Sequence, residues 1–353
     1  MKFFKKKQAP KEEEKFTGHV GCLSEIQEDT LSLFKEYIEK ENITTSDRFT
    51  DHYLLRFCRA RQFVLEDVKK MFKEFIQWRE LNEVDECFIH YDVSNMPEVK
   101  KFYKHCFHST DKEGRPFYID CPATAAPIED LFKVADANEI IRNYILQFEY
   151  LLHVRFPACS KAFGKKIDKC FSIVDLKGLS MGMFKEKSRE FIKIPLSITQ
   201  KNYPEIMHAL LIINSPMVFK AIWLVLKPFI AQRTKDKIKI LGSKYHDDLF
   251  QYVDKSNVPT EFGGNCTCEN NGGDCFMSDR GPWHDFPGDK YGEMYKRQLL
   301  GDKCTVPIPD PIPVDPQTAI ISPAPSIAPH IQSPSPASAI PPPTSAMSSQ
   351  PPS

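Results

Sequence analysis

The sequence predicts an α/β fold: a mainly parallel, twisted sheet behind an N-terminal helical module, with a Pro-rich tail. Three observations carry this. Short apolar segments, among them Cys170–Leu176 and Ala209–Asn214, alternate with longer stretches of helical period. Ala209-Leu-Leu-Ile-Ile213 is apolar throughout, as in a strand buried on both faces. The segment Pro216–Ile230 is apolar on all sides, broken only by Lys220 and Lys227, and carries Phe219, Trp223 and Phe229. A helix of that kind is buried, or faces something other than water. It is too short to span a bilayer, which takes about 20 apolar residues. It therefore reads as a helix that covers a lipid-sized cavity and can lie on a membrane.

In chain order, residues 1–20 form a tail in which Lys2, Lys5, Lys6, Lys7 and Lys11 precede Glu12, Glu13 and Glu14. Leu23, Ile26, Phe34 and Ile38 recur at helical spacing within Cys22–Asn42. Ser46-Asp47 can cap a second helix through Tyr53, Leu54, Leu55, Phe57 and Cys58. Leu65–Leu81 is a third, with Val68, Phe72, Phe75 and Ile76 on one face. The helical module spans residues 21–92, and the α/β domain spans 93–265. Thr110–Pro116 is a turn centred on Gly114, and Phe117–Cys121 is the strand that follows. Helices are expected over Asn138–Val154 and Met183–Ile198, the second bent near Pro195. A strand over Ile238–Leu241 and a helix over Asp247–Val253 complete the pattern. Residues 266–304 form a Cys-containing extension. Residues 305–353, rich in Pro, Ser and Ala, cannot bury enough apolar surface to fold. Pro341-Pro342-Pro343 within them has the form of a polyproline ligand.

The chain has 353 residues, 47 basic and 47 acidic, so bulk charge argues against a nucleic-acid partner. The Lys-rich start lacks the apolar segment of a secretory signal, and no apolar run reaches transmembrane length. Eleven cysteines without a disulfide-like frame point to a reduced, cytosolic compartment. Cys266, Cys268, Cys275 and His284 have the number of ligands that zinc takes, but their spacing fits no closed zinc motif, so a reduced loop without metal is expected. Gly178-Leu-Ser180-Met-Gly182 spells G-x-S-x-G between a strand and a helix. A serine hydrolase built on Ser180 is the enzymatic alternative. No oxyanion-type glycine segment precedes it, and His246 and Asp247 are adjacent in the wrong order, so the expectation is a protein without catalysis.

The motif Leu54-Leu-Arg-Phe-Cys-Arg-Ala-Arg-Gln-Phe63, followed by Trp78-Arg79, resembles the N-terminal module of the CRAL-TRIO lipid-binding family. His108–Pro116, Arg155–Ser160, Asp175–Gly178 and the stretch from Tyr203-Pro-Glu205 to Phe262-Gly-Gly264 resemble successive parts of its lipid-binding domain. The resemblance covers about residues 22–285. It points most to the secretory-pathway phosphatidylinositol/phosphatidylcholine transfer proteins. Cys266-Thr-Cys268 and Gly281-Pro-Trp283 are similar to the plant members of that branch.

The resemblance implies an apolar pocket floored by the sheet and closed by a gating helix, here Met217, Phe219, Ile222, Trp223, Leu226 and Phe229. It implies bound phospholipid as ligand with no cofactor, and exchange of phosphatidylinositol for a second lipid, phosphatidylcholine in the family. It further implies presentation of inositide to lipid kinases, and a cytoplasmic protein transiently peripheral on Golgi or other secretory membranes. The inositide pattern falls on Arg61, Asp111, Glu205, Thr234 and Lys237. Lys237 and Thr234 would hold the phosphate, Glu205 would orient Lys237, and Arg61 and Asp111 would pin local structure and headgroup. The family's basic residue after Glu205 is here Ile206. The phosphatidylcholine pattern falls on Phe107, Tyr118, Phe148, Cys170, Ser172 and Thr199. Phe107 and Phe148 keep a ring for choline but lose a tyrosine hydroxyl, and Cys170 is a weaker donor than serine. A sterol, tocopherol or retinoid in the same pocket is the other reading.

Overall fold

A computed structural model describes residues 17–284 except 44–48, 92–93, 126, 184 and 270–271. The Ser46-Asp47 cap, the Lys-rich start and the Pro-rich tail lie outside these residues.

Helices α1 (Glu25–Lys40), α2 (Asp51–Ala60) and α3 (Leu65–Leu81) pack together at the N-terminal end. Ser24 caps α1 with a reciprocal capping box through Gln27. Their core is aromatic: Phe34 and Phe57 each meet Phe72 edge-on with centroids 5.1 Å apart, and Phe57 lies 5.0 Å from Phe75. Edge-to-face pairs of this kind add about 0.5–1.5 kcal/mol each beyond their burial. Helices α4 (Cys87–His90) and α5 (Met96–Phe102) lead into the sheet.

The sheet has the order β1-β2-β3-β4-β5: β1 His105–Thr110, β2 Pro116–Asp120, β3 Cys170–Asp175, β4 Met207–Ile213 and β5 Ile238–Ile240. The β1–β2 pair is antiparallel and the other three pairs are parallel. Strand β1 escaped the sequence reading because His105-Cys-Phe-His-Ser-Thr110 is half polar, although all six residues are buried. Both of its faces are covered, so the alternation that marks a half-exposed strand is missing.

The intervening helices are α6 (Ile128–Val134), α7 (Ala137–Tyr150), α8 (Phe156–Phe163) and α9 (Glu186–Asn202), followed beyond β4 by α10 (Phe219–Leu226), α11 (Gln232–Lys235) and α12 (His246–Tyr252). The expected helix Asn138–Val154 is α-helical only to Tyr150, and Leu151–Arg155 forms a π-helical segment that joins α7 to α8. Helix α9 holds Pro195 in its interior and ends at Asn202, not Ile198.

The pleat sorts side chains into two layers. Phe117, Ile119, Phe171, Ile173, Leu211 and Ile213 face α12, where Leu249 and Val253 are fully buried. The opposite face presents Phe107, Tyr118 and Cys170 to α7, α9 and the π-helical segment, and Val174, Leu210 and Ile212 to α10. Phe107, Tyr118, Phe148 and Cys170, expected at the second-lipid site, lie on or against this second face. An ion pair deep in that layer fastens the helical module to it: Arg79 of α3 meets Glu149 of α7 at 2.8 Å, and Tyr203 donates to the same carboxylate at 2.8 Å.

Candidate functional site

The covering helix is built from the β4–α10 connection. Ser215 N–H donates to Leu241 at 3.0 Å, and Phe219 N–H donates to Pro216, so the helix starts hard against the sheet. Phe219 and Ile222 are buried against Leu176 and Ile212, with Trp223 and Leu226 beside them. Pro228 ends the α-helix, and Lys227–Phe229 continue as one 3-10 turn. The turn is held by α9: Ala231 N–H donates to Gln200 Oε1 at 2.8 Å, and the Gln200 amide donates to the Phe229 carbonyl. The other face of the helix is bare. Met217 and Leu224 are 76% and 72% exposed, and Phe229 is half exposed with Lys193 over its ring. An apolar groove lined by Pro216, Met217, Phe219, Trp223 and Leu224 runs beside it. One helix thus presents an apolar edge to the protein and an apolar face to its surroundings.

At the flank of this helix the structure brings together Glu205, Thr234 and Lys237. Lys237 Nζ lies 3.3 Å from Glu205 Oε2, and Lys237 N–H donates to the Thr234 carbonyl at 3.1 Å. Burial pushes the Glu205 carboxyl up, but Lys237, then Arg233 and Arg59, outweigh it and hold the group below its ordinary value. Glu205 has φ of 58°, a left-handed backbone that costs a non-glycine residue about 1–2 kcal/mol.

Arg233 escaped the sequence reading. Its Nε lies 3.5 Å from Glu205 Oε1, and its Nη1 donates to the Arg59 carbonyl. Arg56, Arg59 and Lys169 stand nearby, each with its pKa lowered first by burial. Arg61 does not join Glu205: its Nη1 donates to the Ala60 carbonyl at 3.2 Å. Asp111, 2% exposed, organises the β1–β2 turn instead. Its carboxylate accepts from the Glu113 and Arg115 amides at 2.9 and 2.8 Å and from Arg115 Nη1 at 2.9 Å. Asp111→Ala should lower stability by about 2 kcal/mol in urea denaturation, since it orphans those donors.

Phe107, Tyr118, Phe148, Cys170, Ser172 and Thr199 gather along the second sheet face. Phe107 and Tyr118 lie 4.8 Å apart on neighbouring strands, and Cys170 Sγ is 4.0 Å from Ser172 Oγ. Phe148 stacks on Tyr203 at 4.6 Å. The hydroxyl that Phe148 lacks is present one turn earlier: Tyr144 packs edge-on against Phe148 at 4.8 Å, and its hydroxyl meets Thr199 Oγ1 at 2.8 Å. Tyr103 donates to Asp120 at 2.7 Å, and burial pushes the Asp120 carboxyl up to about 6. Tyr103, Tyr144 and Asp120 were invisible in the sequence because each enters through a long-range contact.

Ser180 is exposed in the loop after β3, and its carbonyl accepts from Met183 N–H at 3.2 Å. His246 stacks on Tyr245 at 4.3 Å. A short 3-10 turn, Met181–Met183, follows Ser180, not the helix that a nucleophile elbow requires. His284, considered as a zinc ligand, is exposed at the end of the described chain.

The fold and the site define an α/β protein whose apolar helix lies across one face of its sheet, with a half-buried ion pair at its flank. The chain belongs to the CRAL/TRIO family. Residues 98–264 match the CRAL/TRIO domain and residues 2–74 the CRAL/TRIO N-terminal domain. Among its relatives, the Sec14 cytosolic factor of Schizosaccharomyces pombe is 34% identical over 268 residues, covering 76% of this chain and 91% of that protein. The phosphatidylinositol/phosphatidylcholine transfer protein SFH12 of Arabidopsis thaliana is 36% identical over 276 residues, 78% of this chain and 49% of its own length. The chain thus spans about half the length of several relatives it matches. The crystal structure of Sfh5 shares the fold, with a TM-score of 0.59 over 79% of this chain and 99% of that one at 18% identity. No described helix is long and apolar enough to cross a membrane.

Proposed function

We propose that the protein is a phosphatidylinositol transfer protein that acts without catalysis. It takes up phosphatidylinositol at one membrane and exchanges it for phosphatidylcholine at another. The observation that carries this reading is the Glu205–Lys237 pair, with Thr234 on its turn, at the flank of a helix with two apolar sides. A lipid headgroup phosphate needs a charge-assisted partner once it leaves water, and Lys237, paired with Glu205 at the flank of the helix, could supply it. The name of the Arabidopsis relative, a phosphatidylinositol/phosphatidylcholine transfer protein, supports the same assignment. Phosphatidylcholine would sit against Phe107, Tyr118 and Phe148, with Ser172, Thr199 and Tyr144 as hydroxyl donors and Cys170 in the wall. The protein would act from the cytoplasm at Golgi or other secretory membranes and present inositide to lipid kinases there.

Mass spectrometry of lipid extracted from the purified chain tests the ligand. Phosphatidylinositol and phosphatidylcholine are the expected species, and a sterol, tocopherol or retinoid in their place overturns the proposal. The bare face of α10 makes a separate prediction. Burying a leucine is worth about 1.5–3 kcal/mol, so Leu224→Asp should weaken vesicle binding about 10–100-fold without lowering thermal stability. Liposome flotation measures it, and unchanged flotation removes α10 from the membrane contact.

A further inference from the structure

The cysteines after Gly264 converge on a residue that sequence spacing could not supply. His108 of β1 and Cys266, Cys268 and Cys275 are all buried, and their ligand atoms lie within 4.8 Å of one another. From this geometry we propose that they form a structural zinc site which fastens residues 266–283 to the outer edge of the sheet.

Three observations carry it. Cys266 and Cys268 place their sulfurs 3.7 Å apart. Two thiolates on a tetrahedral zinc, each with a bond of about 2.3 Å, stand about 3.8 Å apart, whereas a disulfide brings sulfurs to about 2.05 Å. His108 is fully buried, and neither of its ring nitrogens makes a well-aligned hydrogen bond among the described residues, the Cys275 backbone being a poorly placed polar neighbour. A buried imidazole left poorly paired is costly, and a metal ion removes that cost. The third observation is charge. Zinc would take three thiolates and a neutral imidazole, releasing three thiol protons to solvent, so the centre would carry one net negative charge. Arg280 Nη1 donates to Cys266 Sγ at 2.8 Å, the second-sphere cation such a centre calls for.

The surroundings suit a closed structural site. Cys266 N–H donates to Val258 at 3.0 Å and Gly273 N–H to Cys268 at 2.9 Å, so two ligands sit on fixed backbone. The extension also reaches the lipid-facing layer. Asp279 pairs with Arg155 at 3.0 Å, and the Arg155 guanidinium lies 4.2 Å over the Phe107 ring, with Trp283 fully buried beside it. Phe107 and His108 are neighbours on β1 facing opposite ways. A metal on His108 would therefore stiffen the pocket wall from behind.

The full chain, purified without chelator, should contain stoichiometric zinc by mass spectrometry of the elements. The apo chain titrated with cobalt should show the thiolate-to-cobalt charge-transfer band of a tetrahedral thiolate-rich site. His108→Ala should lose the zinc, and His108→Cys should restore it with a shifted cobalt spectrum, which separates lost ligation from lost folding. Arg280→Ala should weaken binding roughly 10-fold or more. Well under one zinc per chain with no cobalt band overturns the proposal. So does a disulfide among these cysteines in the intact mass, or zinc retained by His108→Ala.

Discussion

Lys237→Ala should cut phosphatidylinositol transfer by roughly 100-fold while leaving phosphatidylcholine transfer within a few-fold of the parent protein. The size follows from the loss of one charge-assisted contact to a desolvated phosphate, on the order of 2–3 kcal/mol. The selectivity follows from position. Lys237 lies at the α11–β5 turn and pairs with Glu205, whereas Phe107, Tyr118, Ser172 and Thr199 line the other part of the sheet face. Arg233 stays within 3.5 Å of Glu205 in the variant, so the carboxylate is not stranded and the fold should survive. Vesicle-to-vesicle transfer of each radiolabelled lipid measures both activities. Equal loss of the two would make Lys237 a structural residue, and Arg233→Ala in the same assay would report how much of the positive charge the second cation supplies.

Much of this site is legible in the order of residues along the chain. Glu205, Thr234 and Lys237 bracket an apolar helix in sequence, and the strands on either side force those brackets together in space. The covering helix is legible for the same reason, since no ordinary surface helix is apolar all round. What stays hidden enters through tertiary contact. Arg233 looks like one more charge in a charged turn, and Tyr144 like one more helix residue. Strand β1 hides behind its histidines and cysteine, which read as polar until both faces prove covered. His108 shows the limit most plainly, because the cysteines it joins lie at the far end of the domain, beyond β5 and α12. Arg61 and Asp111 make the local contacts expected of them, Arg61 at its own helix end and Asp111 in its own hairpin, and those contacts are local in sequence, which is why a motif can carry them.

Arg79→Ala should destabilise the fold by about 3–5 kcal/mol, the range for breaking a buried ion pair from one side. Its guanidinium and the Glu149 carboxylate are both almost fully buried, and Tyr203, His153 and Asp85 complete the network. Burial alone pushes the Glu149 carboxyl up, but Arg79, then His153, outweigh it, and the group ends well below its usual range. The depressed carboxyl fixes the sign of the pH dependence. Its contribution is fully present above the ordinary value of 4.5 and is lost as pH falls from there toward the depressed one. The parent protein should therefore lose urea resistance steeply below about pH 4.5, and the Arg79→Ala variant, which has already lost the pairing, should lose less over the same range. Replacing both partners, Arg79→Met with Glu149→Leu, should recover much of the deficit, because no charge is then left buried alone. A single variant that costs under about 1 kcal/mol, or a double variant worse than either single one, would mean that the helical module is held to the lipid-binding layer by its apolar contacts and not by this pair.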